Sequence, residues 1–111
     1  MELLKTEFVR GEPPALQIAG EIDHSTADQL RAALEEALAE SPQVVIDMAG
    51  VTFVDAAGLR VVLQVAASQN GAGPLTLHNA SRVAWLLDLV GLSELPSIVI
   101  RDGGDSPWPG R

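Results

Sequence analysis

The sequence predicts an α/β fold: a mixed sheet of four to five strands, opened by an N-terminal antiparallel hairpin and packed against three to four helices. Three observations carry this reading. Two period-two runs flank a Gly/Pro turn near the start, helical spacing then alternates with short β-branched runs, and 111 residues at 47% hydrophobic composition suit one domain with its own core. That domain is placed at residues 1–101. Residues 102–111, with Gly103-Gly104 and Pro107-Trp108-Pro109, read as a flexible C-terminal tail.

The elements follow in order. Leu4 to Val9 alternates, Gly11-Glu12-Pro13-Pro14 breaks the run, and Ala15 to Ala19 alternates again, so the pair reads as a hairpin whose second strand ends at Gly20. From Ala27 the apolar positions change period: Leu30, Leu34, Ala37 and Leu38 fall at helical intervals, with a capping-box spacing at Thr26 to Gln29 and a stop at Ser41-Pro42. Val44-Val45-Ile46 is continuously apolar and β-branched, which predicts a buried parallel strand beside the second. A helix from about Gly58 to Gln69 leaves only the Arg60, Gln64, Ser68 stripe polar, so it is expected to be deeply buried. After the Gly71-Ala72-Gly73-Pro74 turn come a strand at Leu75 to His78 and a helix capped by Ser81 and running to Val90. Gly91 sits at its left-handed end with Leu92 packing back, and an edge strand at Ser97 to Arg101 completes the set.

Charge and composition exclude several functions. Fifteen acidic residues against seven basic ones give a net charge of -8, the wrong sign for a nucleic-acid surface. The absence of cysteine excludes a disulfide framework, a thiolate nucleophile and cysteine-ligated metal, and fits a cytoplasmic protein. Glu2, Lys5 and Glu7 interrupt any signal-peptide core within Met1 to Arg10, and no apolar run is long enough to cross a bilayer.

Catalytic motifs do not fill the gap. Neither a phosphate-binding loop nor G-x-G-x-x-G follows any predicted strand, and no serine sits in G-x-S-x-G. His24 and His78 stand far apart and read as structural or solvated rather than as metal ligands. Asp23, Asp47 and Asp55 fall near predicted strand ends, where a receiver-like magnesium site would lie, but such a site needs a late lysine and the only lysine is Lys5. Asp47 and Asp55 are better read as partners of turn and helix-start amides. No catalytic residue, cofactor or metal is expected.

The most informative stretch runs from Asp47 to Leu59: a buried strand, a turn, a short apolar segment, then Asp55-Ala56-Ala57-Gly58 and a helix. Asp55 can cap that helix, and the small residues after it leave its N-terminus open to another surface. With Gly20-Glu21-Ile22-Asp23, Asn79 and Gly91-Leu92, in this order and spacing, the chain resembles the STAS domain family over residues 4 to 101. The best-known members are bacterial anti-sigma factor antagonists.

The resemblance implies partner switching rather than catalysis. A family antagonist binds an anti-sigma factor that is also a serine kinase of the histidine-kinase-like ATPase type, and phosphorylation of a serine in a D-S-S-G loop ends the binding. Here Asp55 matches the aspartate, Ala56 the first small position, Ala57 the phosphoacceptor and Gly58 the glycine, while Asp23 matches a residue placed beside that loop. A methyl group cannot accept phosphate, so Ala57 removes the usual control. Ser25, Thr26 and Thr52, the nearest hydroxyls in sequence, read as cap or turn residues.

The expected partner surface is therefore Asp23, Asp55, Ala56, Ala57, Gly58 and Arg60, on a monomer or weak dimer. The alternative is a STAS adaptor subunit of a phospholipid ABC transporter that binds the transporter's ATPase. Six acids against one base between Glu21 and Glu40 suggest a partner with a basic docking face. Trp85 and Leu89 are read as the rim of the core, a reading that an exposed Trp85 would reverse.

Overall fold

The computed structural model describes residues 3–69, 73–92 and 95–101. Its strands are β1 (Leu4–Val9), β2 (Ala15–Ile22), β3 (Val45–Val54), β4 (Leu75–His78) and β5 (Ile98–Arg101); its helices are α1 (Ala27–Glu40), α2 (Ala56–Ala67) and α3 (Ser81–Leu89). The five strands lie side by side in chain order, β1 antiparallel to β2 and every later pair parallel. This is the mixed sheet with an antiparallel hairpin that the alternating runs predict. The proposed tail at 102–111 and the Gly71-Ala72 part of the predicted turn lie outside the described residues.

The core forms where the helical stripes meet the sheet. Leu30, Leu34 and Ala37 of α1 and Leu59, Val62, Val65 and Ala66 of α2 are buried with Leu16, Ile18, Ile46 and Leu77 of the strands. Deep burial of α2 agrees with its narrow polar stripe: Val61 is buried as well, while Arg60 and Gln64 stay exposed. Arg31 of α1 donates across to Gln64 of α2, a polar contact on the outer side of that helix pair.

Two glycines behave differently from the sequence expectation. Gly20 does not end β2; it sits inside the strand at φ +107°, and a Cβ there would lie 2.1 Å from the Leu3 carbonyl oxygen. The same oxygen accepts from the Glu21 amide at 2.8 Å, so glycine lets the start of β1 close onto a continuing β2. The turn expected after Asp47 does not form either, and Gly50 lies within β3. A Cβ there would lie 2.8 Å from that of Ala19, and the ladder runs on from Ala19↔Gly50 to Ile22↔Val54.

What reads as turn plus apolar segment is one ten-residue strand. It absorbs its extra residues at two register shifts against β2, between Gln17 and Ala19 and between Gly20 and Glu21. As a result β3 outruns β4, whose pairing covers only Val45 to Asp47. Asp47 consequently lies within the sheet rather than at a strand end. It is buried, and its Oδ1 accepts from the Ala49 amide at 3.0 Å and from Asn79 Nδ2 at 2.9 Å.

Helix ends supply the remaining corrections. The capping box at Thr26 does not form, for the Thr26 hydroxyl turns to the preceding loop and makes no cap bond. Ser81 is the first residue of α3, not its cap; Ala80 holds that place after Asn79 at φ +58°. The C-terminus of α3 follows expectation in its backbone. Gly91 is at φ +80°, its amide donates to Asp88 O at 3.1 Å, and the Leu92 amide donates to Leu87 O at 2.7 Å, the paired bonds of a Schellman motif. The Leu92 side chain nevertheless stays exposed rather than packing back.

Candidate partner-binding site

Asp23 and Asp55 are the first residues beyond the ends of the neighbouring strands β2 and β3. Ile22 is in register with Val54, and the Asp55 amide continues the ladder by donating to Ile22 O at 3.1 Å. Asp55 is then the N-cap of α2: its backbone is extended, its Oδ1 accepts from the Gly58 amide at 3.0 Å and its carbonyl accepts from the Leu59 amide at 2.9 Å. This is the helix-start role that its sequence position indicates. The first turn of α2 lies tight against β2. A Cβ on Gly58 would come within 2.2 Å of Ile22 Cγ2 and 2.7 Å of Ile22 O, so only glycine fits without movement.

That tight approach sorts the predicted surface residues. Gly58 is buried and acts by position, whereas Ala56 and Arg60 are exposed and Ala57 is half-buried. Arg60 stands one helical turn beyond Ala56 and Ala57 on the same side. Asp23 reaches the site from the other strand through a loop knotted by its own carboxylate. Its Oδ1 accepts from the Ser25 hydroxyl at 2.6 Å, the Ser25 amide at 2.8 Å and the Thr26 amide at 3.2 Å.

Thr26 locks the same loop from below. Its buried hydroxyl donates to Glu21 O at 2.8 Å and accepts from the Asp23 amide at 3.0 Å. Ser25 and Thr26 therefore serve the loop and not the cap of α1. The hydrogen bond from the Ser25 hydroxyl, helped by the backbone amides, holds the Asp23 carboxyl below its ordinary value.

The arrangement offers a surface for contact. At position 57 the helix N-terminus presents a methyl group, and the flanking carboxylates are engaged by amides. Among the described residues no group of three His, Cys, Asp or Glu side chains could hold a metal ion. His24 is exposed in the Asp23 loop, while His78 is buried in β4. The Thr52 hydroxyl reaches the Gly20 carbonyl at 3.3 Å, beside the β2–β3 ladder.

Two features escape sequence reasoning. Phe53 is 47% exposed at the end of β3, and Trp85 and Leu89 are 64% and 65% exposed on α3, which reverses their reading as the rim of the core. Four-residue spacing of Trp85 and Leu89 on a helix whose buried stripe is Val83 and Leu87 was the available signal.

A family model described as "Mlab, STAS domain" matches residues 8–100. This chain belongs to the STAS domain family. The STAS assignment is matched by its architecture. The crystal structure of an anti-sigma factor antagonist from Mycobacterium paratuberculosis aligns at a TM-score of 0.71 with 24% identity, over 86% of this chain and 84% of that one. The anti-sigma factor antagonist SpoIIAA in its unphosphorylated form aligns at 0.62 with 23% identity, over 92% of this chain and 90% of that one. At these identities the likeness is one of fold. No curated protein matches the sequence. No described helix of this STAS domain is long and apolar enough to cross a membrane.

Proposed function

We propose that this STAS domain acts as an anti-sigma factor antagonist: it binds an anti-sigma factor that is also a serine kinase of the histidine-kinase-like ATPase type, and thereby regulates transcription in the cytoplasm. The contact surface is Asp23, Asp55, Ala56, Ala57 and Arg60, with Gly58 fixing the height of the α2 N-terminus. The observation that carries this reading is the open first turn of α2, a capped helix start with small side chains beside the rigid Asp23 loop. Ala57 makes the interaction independent of phosphorylation at that position. The acids on α1 and its lead-in favour a basic docking face and an association rate that falls as salt rises.

Calorimetry with the purified kinase tests the surface. Ala57→Asp places a charge in the contact and is expected to weaken binding about tenfold or more, with a nearly unchanged thermal melt. Equal affinity of the two proteins would remove Ala57 from the interface. Incubated with kinase and ATP, the native chain should keep its mass and Ala57→Ser should gain one phosphate. Phosphate on the native chain would contradict the loss of control.

The match to a model described as "Mlab, STAS domain" supports a second reading, an adaptor that binds the ATPase of a phospholipid ABC transporter through the same surface. Stable binding to such an ATPase, with none to an anti-sigma kinase, would decide for it.

A further inference from the structure

The residues around Ala57 form a small patch, whereas a stable protein contact covers about 800 Å² on each partner. A partner seated on Ala56 and Ala57 must therefore extend beyond them. Three residues before Ala56, Phe53 opens a second surface of different character. Phe53, Val54, Ser81, Arg82, Trp85 and Leu86 line a groove of about 510 Å³ between the end of β3 and α3.

This groove exists because β3 outruns β4, which leaves the β3 edge facing α3. Arg82 bridges the gap, its Nε donating to Val51 O at 3.2 Å. Helix α3 is apolar on two sides: Val83 and Leu87 face the core, and Trp85 and Leu89 stand in solvent one turn apart. Exposed aromatic and aliphatic side chains gathered beside a groove mark contact surfaces, and tryptophan is the residue most enriched among energetically dominant ones.

We propose, on the antagonist reading above, that the same partner protein fills this groove. It would do so with an amphipathic helix that seats an apolar side chain between Phe53 and Trp85, lays a second against Leu89 and brings a carboxylate to Arg82. Two observations point to that occupant. Groove and loop adjoin along the chain, since Val54 lines the one and Asp55, the next residue, caps the helix that presents the other. Charge changes along the surface, from Glu21, Asp23 and Asp28, which outnumber Arg60 at the loop end, to Arg82, the only charged side chain among the residues lining the groove. A partner complementary to both ends is basic opposite the loop and acidic opposite Arg82.

The test uses the full chain labelled with 5-fluorotryptophan, whose two residues, Trp85 and Trp108, are assigned from Trp85→Phe and Trp108→Phe. Purified anti-sigma serine kinase is titrated in and followed by fluorine NMR and calorimetry. The Trp85 resonance should shift on binding. Trp85→Ala should weaken affinity about 30-fold and Leu89→Ala about fivefold, each with an unchanged melt because both side chains are exposed. If the kinase binds and Ala57→Asp weakens it, but the Trp85 resonance does not shift and Trp85→Ala leaves affinity unchanged, the groove proposal is overturned while the loop surface stands. If no kinase binds, the antagonist reading fails and this proposal fails with it. A Trp85 shift on concentration alone would assign the groove to a second copy, and one on Trp108→Ala without kinase would assign it to residues 102–111. Either outcome overturns the proposal.

Discussion

The joint between β2 and α1 and the joint between β3 and α2 start from strand ends held in register, yet they satisfy their helix-start amides in opposite ways. At β3–α2 a single aspartate caps the helix, and a glycine three residues on lets the first turn press against β2. At β2–α1 the residue in the cap position makes no cap bond. Thr26 and Asp23 instead build a closed loop ahead of the helix, and the Gln29 amide group crosses to Leu4 O at 3.0 Å. The first joint is a local rule obeyed, and the second is a local rule displaced by better partners. The difference makes one side of the candidate surface a helix terminus and the other a rigid loop.

The two joints differ most at Gly58. A methyl group there meets the buried Ile22 side chain and its backbone oxygen, so Gly58→Ala should destabilise by about 3 kcal/mol despite alanine's higher helix propensity. Chemical denaturation would measure it; a loss no larger than a few tenths would mean that α2 can lift from β2.

An intermediate effect separates the two joints. Thr26→Val keeps the shape but leaves Glu21 O and the Asp23 amide without their buried partner, for a loss of about 2 kcal/mol. Asp55→Ala removes an ordinary cap and should lose about 1 kcal/mol. Equal losses at the two positions would erase the distinction between loop and cap.

The smallest effect is electrostatic. Ser25→Ala removes the leading cause of the lowered Asp23 titration, so the Asp23 carboxyl should move up towards its ordinary value in an NMR titration. Because the folded value is lowered, the charged carboxylate favours the folded loop above the ordinary carboxylate value, and this is lost as pH falls through the lowered one. An unmoved titration in Ser25→Ala would assign the shift to the amides alone.

Much of the fold was legible because burial leaves a period. The alternation of Leu4 to Val9, the β-branched Val44 to Ile46 and the helical spacing of Leu30, Leu34 and Ala37 each report one buried face. Boundaries were less legible where glycine has two meanings. Gly20 reads as a strand end and the stretch after Asp47 as a turn, but Gly20 and Gly50 both permit a neighbouring strand to come close, and only the neighbour shows which meaning holds. The candidate site was legible at Asp55 to Gly58, where cap, small residues and close packing are encoded side by side. The linked roles of Glu21, Asp23, Ser25 and Thr26 were not, since a capping-box spacing describes a helix start without its competing partners. Phe53 and Trp85 lie 32 positions apart in sequence, and their shared groove depends on how far β3 extends beyond β4.

By itself the sequence determined the α/β order, the hairpin, the capped start of α2 and the methyl group at position 57, because each is set by side-chain period or by bonds between near neighbours. Tertiary structure alone decided that β2 and β3 run through their glycines, that Thr26 faces the loop, and that the second apolar side of α3 stands in solvent. Those outcomes depend on which distant backbone group or surface arrives at a residue. Close packing and hydrogen-bond competition settle that only when the whole chain is assembled.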